Sequence, residues 1–191
     1  MSTMREIKRA FRKEINKRLN ALDEKYLEKS DQSIYDIVSV LEEVKNADTV
    51  FMYCSLGREI DTRKLMQLCF DKGQKVALPV CVNDTDLVFK ELSSSSELVT
   101  GMYDLLEPPL SAPEAKISEK SVMITPSLTY DRQGYRMGKG KGYYDRWLSK
   151  HKIYSVGVAR EALMVDEVPR EPHDVRVDCL VTEKGLIRFN K

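Results

Sequence analysis

Ser121-Val122-Met123-Ile124-Thr125 is a short apolar run that ends at Pro126, and it is the stretch that decides the predicted fold. A run of this length and composition predicts a buried β-strand. It is followed by a loop with four glycines, by a helical pattern through Tyr144–Lys150 and by another strand-like run at Tyr154–Ala159. Strands that alternate with helices in this way favour a mostly parallel sheet that is covered by helices.

The same alternation continues towards both ends of the chain. Further apolar runs predict strands at Thr49–Cys54, Lys75–Val80, Leu87–Leu92, Val177–Thr182 and Leu186–Phe189. Apolar residues at three- and four-residue steps predict helices over residues 4–29, over residues 31–47 with Asp31 as the N-cap, and over Asp61–Asp71.

Together these patterns predict an α/β fold. We expect a three-layer α/β/α sandwich with a mostly parallel central sheet, Rossmann-like, in a single domain that spans residues 1–191. Ligands of such sheets sit at the carboxyl ends of the strands. The loops after Cys54, Val80, Thr125 and Ala159 should therefore lie along one rim, where a binding site would form.

The composition of the 191-residue chain argues against several classes of protein. Hydrophobic residues make up 42% and charged residues 32%, which is typical of a water-soluble globular protein. No apolar stretch is long enough to span a membrane, and the basic N-terminus lacks the apolar segment of a signal peptide. The four cysteines form no Cys-x-x-Cys pair, so we expect reduced thiols, no zinc site and a cytoplasmic location.

The strongest functional signal is the segment Gly134–Asp145, which we call the glycine loop. It contains four glycines and the cations Arg136, Lys139 and Lys141. Because glycine has no Cβ, backbone N–H groups can approach a phosphate closely, and the following helix presents its positive N-terminal end. The spacing matches neither the P-loop nor the dinucleotide-binding fingerprint. We expect a nucleotide phosphate site here, and the alternative is a solvated loop whose lysines serve solubility.

Positive charge is also concentrated on the first predicted helix. Lys8 and Arg12 are four residues apart and therefore share one helix face. A solvated helix surface explains most of the basic residues, while one or two of them could reach a phosphate. A nucleic-acid-binding arm is a third interpretation, but no aromatic residues are interleaved for base stacking and the net charge is only +1. Further cations of this surface are Arg5, Arg9, Lys13, Lys17 and Arg18.

Two further loops carry residues that suit ligand binding. Glu59 follows the first strand and lies on the expected rim, where it is either a ligand contact or an exposed loop carboxylate. The late loop Val168–Asp174 is stiffened by two prolines. Asp174 and Asp145 are hard carboxylate ligands that could share one Mg²⁺ with phosphate oxygens. His173 is a candidate general base, although we favour a structural hydrogen bond for it.

In these features the chain resembles the 5-formyltetrahydrofolate cyclo-ligase family, also called 5,10-methenyltetrahydrofolate synthetases. The resemblance is carried by the glycine loop with Arg146 and by five other motifs, which follow the family order over nearly the whole chain. These motifs are Lys8-x-x-x-Arg12, Glu59-Ile60-Asp61-Thr62, Leu106-Glu107-Pro108, Val156-Gly157-Val158-Ala159 and Pro172-His173-Asp174.

The resemblance implies an activity, cofactors and partners. ATP would phosphorylate the formyl oxygen of 5-formyltetrahydrofolate, N10 would attack the activated carbon, and loss of phosphate would leave 5,10-methenyltetrahydrofolate. ATP is then the co-substrate and Mg²⁺ the metal cofactor. The partners are these two small molecules, with no nucleic acid and no membrane, and we expect a monomer or a weak homodimer.

The same resemblance implies roles for individual residues. The ATP-binding set is Lys8, Arg12, Arg136, Met137, Gly138, Lys139, Gly140, Lys141, Gly142, Tyr143 and Tyr144. The folate-binding set is Leu56, Glu59, Lys139, Gly140, Lys141, Gly142 and Tyr143, so the segment from Lys139 to Tyr143 would lie between the two substrates. Arg136, Lys139 and Tyr143 are the expected catalytic residues, and Asp145 and Asp174 the expected metal ligands.

Three positions depart from the residues that are common in the family. Ser127 stands where a glycine is frequent, Arg160 where an aromatic residue is frequent and Leu163 where a glutamine is frequent. These positions are expected near the substrate rim, so we expect them to bear on the folate contacts and not on the glycine loop.

Two other functions are compatible with the sequence: an ATP-using or sugar-phosphate enzyme on a related α/β scaffold, and a basic nucleic-acid-binding module. A folate needs a roomy apolar slot beside the glycine loop, whereas a sugar phosphate needs a small polar site. Candidates to line an apolar slot are Tyr53, Met102, Tyr103 and Tyr130.

Overall fold

A computed structural model gives the structure of residues 3–100 and 106–189. The helices in these ranges are α1 (Met4–Ala21), α2 (Glu24–Val38), α3 (Glu42–Lys45), α4 (Arg63–Asp71) and α5 (Tyr143–Lys150). The strands are β1 (Thr49–Phe51), β2 (Lys75–Cys81), β3 (Leu87–Leu92), β4 (Val99–Thr100), β5 (Leu106–Glu107), β6 (Val122–Thr125), β7 (Thr129–Tyr130), β8 (Arg136–Met137), β9 (Tyr154–Val158), β10 (Cys179–Thr182) and β11 (Gly185–Arg188). Met102 and Tyr103, two of the slot candidates, lie outside the described residues.

Seven strands form the central sheet, in the order β11-β10-β9-β6-β1-β2-β3. The five inner strands run parallel, and the edge strands β11 and β3 are antiparallel to their neighbours. Two short antiparallel ribbons, β4 with β5 and β7 with β8, accompany the sheet. The predicted mostly parallel sheet is confirmed.

Helices cover both faces of the sheet because successive strand residues point to opposite sides. Val50 of β1 packs with α2 and α4, whereas its neighbour Phe51 packs with Trp147 of α5. Phe51, Phe89 and Trp147 form an aromatic cluster under α5, in which the ring centroids of Phe89 and Trp147 are 4.9 Å apart. The expected three-layer α/β/α sandwich is therefore confirmed.

The predicted boundaries of the first two helices are wrong. The chain leaves the helical conformation at Leu22, and the Asp23 side chain accepts a hydrogen bond from Tyr26 N (2.7 Å), which caps a new helix. Asp31, the expected N-cap, lies inside α2. The apolar spacing runs through the turn without a change of step, so periodicity alone did not mark the break, whereas the capping residue Asp23 did.

A short hairpin was also missed. The turn between β7 and β8 contains Asp131, whose fully buried carboxylate accepts hydrogen bonds from the N–H groups of Gln133 (2.9 Å), Tyr135 (3.0 Å) and Val168 (3.1 Å). The glycine loop therefore begins within a folded hairpin and not as an irregular connection.

Gly157 of β9 lies directly against the ring of Tyr130. A Cβ at residue 157 would come within 2.8 Å of Tyr130 Cε1. The ring is fully buried, its hydroxyl donates to Thr125 O (3.2 Å), and burial raises the pKa of Tyr130 to about 12. Tyr130 is therefore a neutral, fixed part of the core, and the expectation that it lines a ligand slot is wrong.

The substitution Gly157→Ala should lower the free energy of unfolding by about 1–3 kcal/mol, because the added methyl group overpacks the Tyr130 ring. Chemical denaturation measures the change. Gly138→Ala is the matched control, since a Cβ there would meet nothing within 4 Å. An equal loss of stability in both variants would contradict the packing explanation.

Candidate functional site

Loops from the carboxyl ends of four parallel strands meet at one edge of the sheet, which we call the rim. Lys139 of the glycine loop forms an ion pair with Glu59 after β1. Tyr143 Oη donates to Asn83 O after β2 (3.1 Å), and Arg160 Nη1 after β9 donates to Arg58 O (2.9 Å). The predicted clustering of these loops is confirmed.

The backbone of the glycine loop uses conformations that favour glycine. Gly140 has φ +111° and Gly142 has φ +67°, and side chains at such angles are strained. Gly142 immediately precedes α5, and no side chain caps that helix end. The first N–H groups of α5 are therefore available to an anion.

Beneath the loop, Arg136 and Asp145 form a buried ion pair. The distance from Arg136 Nη2 to Asp145 Oδ1 is 2.7 Å, and Arg136 Nη1 donates to Val175 O (3.1 Å). Only 2% of the Arg136 side chain is exposed, against 19% of Asp145. In this conformation the pair joins β8 to the first turn of α5, and the guanidinium does not face solvent.

Helix α1 supplies two cations to the same region, as their spacing predicted. Lys8 Nζ lies 2.6 Å from Asp174 Oδ2 and 3.0 Å from Glu171 Oε2. Burial alone would lower the pKa of Lys8, but these two carboxylates outweigh it and raise the pKa above its usual value. Arg12 Nε donates to Gly138 O (2.9 Å), so α1 contacts both the late loop and the glycine loop.

Leu56, Glu59 and Lys139 come together as the folate-binding prediction requires. One oxygen of the Glu59 carboxylate accepts from Leu56 N (3.0 Å), and the other is paired with Lys139. The Lys139 side chain is 62% exposed, so a ligand that arrives at the rim can reach it. Lys141 points elsewhere, towards Asp84 at 3.6 Å, and both of those side chains are exposed.

An apolar slot of about 150 Å³ opens beside the glycine loop. Its walls include Tyr53, Leu56, Leu78, Tyr143 and Tyr144. Burial raises the pKa values of Tyr53 and Tyr144, so both hydroxyls stay neutral near pH 7. Of the slot candidates from the sequence, Tyr53 is confirmed as a lining residue.

A second cavity of about 480 Å³ adjoins the slot and shares Cys54, Leu56 and Leu106 with it. It is lined by side chains of α2, the loop after β1 and Arg160. The two spaces therefore lie side by side at the rim, and Leu56 belongs to the wall of both.

Sequence analysis placed the loop after Val80 on the rim but singled out none of the residues of this turn between β2 and β3. Arg146 donates to Thr85 O through Nε (2.8 Å) and Nη2 (2.6 Å), and Tyr143 donates to Asn83 O. The available signal was the polar run Asn83-Asp84-Thr85-Asp86 between two strands, in which Asn83 Oδ1 accepts from Thr85 N and Asp86 N.

The three departures from the family pattern are all accommodated by hydrogen bonds or by burial. Ser127 Oγ lies 2.9 Å from Met137 O and 2.6 Å from Thr129 O, and Met137 itself is buried. Leu163 is buried, and its carbonyl accepts from Thr129 Oγ1 (2.6 Å). Arg160 is buried below the second cavity.

Asp145 and Asp174, the predicted metal ligands, each have a cation as partner, Arg136 and Lys8 respectively. Within residues 3–100 and 106–189, no group of three or more His, Cys, Asp or Glu side chains could hold a metal ion. His173 is 68% exposed, with Nε2 3.8 Å from Asp174 Oδ1. Over the same residues, none of the helices is long and apolar enough to cross a membrane.

Comparison with known proteins gives consistent matches. Residues 4–183 match the sequence model of the 5-formyltetrahydrofolate cyclo-ligase family. The 5-formyltetrahydrofolate cyclo-ligase of Mycolicibacterium smegmatis is 34% identical over 147 residues, which cover 73% of this chain and 76% of the relative. The enzyme of the same name from Escherichia coli (strain K12) is 30% identical over 174 residues, which cover 88% and 96%.

Solved structures agree with the sequence matches. The NMR structure of Aquifex aeolicus 5,10-methenyltetrahydrofolate synthetase superimposes with a TM-score of 0.80 at 30% identity, and the match covers 97% of this chain and 94% of that one. A 5,10-methenyltetrahydrofolate synthetase from Mycoplasma pneumoniae has a TM-score of 0.68 at 23% identity, with 92% and 98% covered, which supports the fold alone.

The buried Arg136–Asp145 pair should be strongly coupled. Asp145→Ala leaves a buried guanidinium without its counter-charge and should lower the free energy of unfolding by about 3–5 kcal/mol. Arg136→Met leaves a carboxylate that water can reach, so it should lower the free energy of unfolding less than Asp145→Ala does. The double variant should lose less stability than the sum of the losses in the two single variants. Chemical denaturation of the four proteins measures the coupling.

The matched control is the exposed pair between Lys141 of the glycine loop and Asp84 of the turn between β2 and β3, whose double-mutant cycle should show no measurable coupling. Additive effects at Arg136 and Asp145 would show that the ion pair does not hold β8 to α5.

Proposed function

Because the chain belongs to the 5-formyltetrahydrofolate cyclo-ligase family, we propose that it converts 5-formyltetrahydrofolate and ATP into 5,10-methenyltetrahydrofolate, ADP and phosphate. The observation that carries the proposal is the position of the glycine loop. Arg12 of α1 contacts the loop on one side, and Glu59 and the apolar slot border it on the other. One loop thus lies between a phosphate-binding surface and a slot for a ring system.

The proposed reaction has two steps. The formyl oxygen attacks the γ-phosphorus of ATP, the bond to the bridging oxygen breaks, and ADP leaves with that electron pair. N10 then attacks the activated carbon, loses its proton to water, and phosphate departs with the formyl oxygen, which leaves the methenyl bridge. Neither step uses a protein nucleophile, so the main task of the protein is alignment and charge stabilisation.

ATP is proposed to bind across α1 and the glycine loop. The proposed contacts are Lys8, Arg12, Arg136, Met137, Gly138, Lys139, Gly140, Lys141, Gly142, Tyr143 and Tyr144. The uncapped start of α5 and the positive φ of Gly140 and Gly142 support a phosphate position at this loop. Since the Met137 side chain is buried, its proposed contact with ATP would be made by the backbone.

Lys139 and Tyr143 are the proposed catalytic residues at the junction of the two substrates. The ammonium of Lys139 would exchange Glu59 for the transferred phosphoryl oxygens, and the ring of Tyr143 would close the slot from the ATP side. Arg136 remains a proposed catalytic residue as well. Because its guanidinium is turned inward to Asp145, it can reach phosphate only if Asp145 releases it.

The folate is proposed to bind at Leu56, Glu59 and the segment Lys139–Tyr143. Once Lys139 has moved to phosphate, the Glu59 carboxylate can accept N–H groups of the pterin-like ring. Tyr53 and Tyr144 provide neutral, apolar walls for the ring.

Mg²⁺ is the proposed metal cofactor, with Asp145 and Asp174 as ligands. Mg²⁺ usually takes one or two protein carboxylates and fills its shell with phosphate oxygens and waters, which fits this sparse set of donors. When bound, the ion would supply charge that offsets the negative phosphoryl oxygens. Asp145 and Asp174 would then release Arg136 and Lys8, which become free to bind phosphate.

The apolar lining of the slot favours a folate ring over a sugar phosphate, which would need a polar pocket. At about 150 Å³ the slot is smaller than the roomy slot expected from the sequence, so it would hold only part of the folate. The cations Lys8 and Arg12 face the late loop and the glycine loop, which argues against their use as a nucleic-acid-binding surface. A cytoplasmic location, one domain over residues 1–191, a monomeric or weakly dimeric state and the absence of nucleic-acid and membrane partners also belong to the proposal.

The activity itself can be tested by absorbance at the methenyl-folate band. With 5-formyltetrahydrofolate, Mg²⁺ and ATP, the absorbance should rise, and it should stay flat when ATP is omitted. Isothermal titration with ATP in the absence of folate gives an independent measure of nucleotide binding. ATP binding without any methenyl product would reject the folate reaction and favour another ATP-using enzyme.

Lys139→Ala should lower kcat by about 10²–10³-fold, because an aligned charge at the transferred phosphoryl group is lost. Stability should change little, since the side chain is largely exposed. Lys75→Ala is the matched control, because the Lys75 side chain is similarly exposed (55%), pairs with Glu91 and lies at the start of β2, at the opposite end of the strand from the rim. Steady-state kinetics measure the change. If the kcat of Lys139→Ala equals that of the wild type, Lys139 is not a catalytic residue.

A further inference from the structure

Arg160 is a buried arginine at the rim, and no part of the proposed reaction uses it directly. It follows the last parallel residues of β9 and precedes the 3₁₀ turn Glu161–Leu163. Only 3% of its side chain is exposed, yet it also lines the cavity that adjoins the apolar slot. A buried guanidinium requires partners for its donors, and those partners indicate what it holds in place.

The donors of Arg160 reach two different elements. On α2, Nε donates to Ser30 Oγ (3.0 Å) and Nη2 to the carboxylate of Asp31. On the loop after β1, Nη1 donates to Arg58 O (2.9 Å) and Nη2 lies 3.4 Å from Glu59 O. The guanidinium fork therefore joins the end of β9 to α2 and to the backbone that carries Glu59.

The α2 side of this arrangement is fixed independently. Ser30 is buried and its Oγ donates to Leu27 O (2.9 Å), so the oxygen that accepts from Arg160 is already oriented. Arg160 thus acts from a rigid base on a loop that contains Gly57, which has φ +54°. Because Arg160 binds main-chain carbonyls, it restrains the loop backbone regardless of the conformations of the loop side chains.

We propose that Arg160 is a positioning residue for folate binding: it fixes the backbone at Arg58 and Glu59 so that the Glu59 carboxylate faces Lys139 at the junction of the two substrates. The expected change in the KM for folate rests on the proposed function, whereas the restraint of the loop after β1 does not depend on it. In our proposal ATP lies across α1 and the glycine loop and is connected with Glu59 only through Lys139, so the effect of Arg160 should fall mainly on the folate.

The kinetic test compares Arg160→Met and Arg160→Lys with the wild type, under conditions where thermal melts show all proteins folded. In Arg160→Met the KM for 5-formyltetrahydrofolate should rise about tenfold or more, while the KM for ATP should change less than about threefold. Arg160→Lys should rescue part of the loss, since an ammonium can keep one or two of the partners. A purely structural role would lower the active fraction and hence kcat, with both KM values unchanged, and that result overturns the inference.

Arg18→Met is the matched control. Arg18 donates to Ala162 O (2.6 Å), just after Arg160, but none of its hydrogen bonds reaches the loop after β1. Its folate KM should equal that of the wild type. If Arg160→Met does not fold, Asp31→Asn takes its place, because it weakens the anchor of Arg160 without removing the guanidinium, and its folate KM should rise in the same direction. An unchanged folate KM in the folded variant refutes the proposal.

Hydrogen exchange separates this inference from the proposed function. Leu56 N donates to Glu59 Oε2 (3.0 Å) and Glu59 N donates to Leu56 O (3.0 Å), so both amides report on the loop in the absence of any substrate. They should exchange about tenfold faster in Arg160→Met and at the wild-type rate in Arg18→Met. Unchanged exchange overturns the positioning role even if the enzyme is active. Faster exchange in a protein without ATP-dependent methenyl formation supports the positioning of the loop and rejects the proposed reaction.

Discussion

The ion pair between Arg136 and Asp145 is the constraint on which the geometry of the glycine loop depends. A guanidinium that is 2% exposed is costly to leave without an anionic partner, so in the absence of a ligand the pair holds β8 against the first turn of α5. The few residues between them must close that gap, which they do with left-handed glycines. The last of these glycines, Gly142, is the N-cap residue of α5, and because glycine has no side chain it leaves that helix end without a side-chain cap.

A second property of the rim is that several of its predicted ligand-binding cations are already paired with carboxylates of the protein. Lys8 has Asp174 and Glu171, Arg136 has Asp145 and Lys139 has Glu59. If these residues bind the substrates as proposed, binding of a charged ligand would exchange one partner for another and would not fill an empty charged site. The affinity for each substrate would then depend on the other through a shared residue such as Lys139.

Sequence analysis predicted the layer architecture because strand and helix periods differ clearly along this chain, and it located the glycine loop because glycines and cations are concentrated there. The break at Leu22 escaped it, since the apolar spacing continues across the turn. The partner of a charge could not be predicted at all. Nothing in the sequence connects Lys8 with Asp174, and Arg160 was marked only as an unusual residue until its contacts with Ser30 and Asp31 were visible.

The contact between Lys8 and the late loop has a consequence for the synthesis of the protein. The partners of Lys8 lie 163 and 166 residues further along the chain, and only Ile15 of α1 is deeply buried. At about 5–20 residues per second, a ribosome needs on the order of ten to thirty seconds to make the intervening chain. Lys8 of α1 is thus made well before the late loop, and for that interval its ammonium lacks the two carboxylates that hold it in the folded protein.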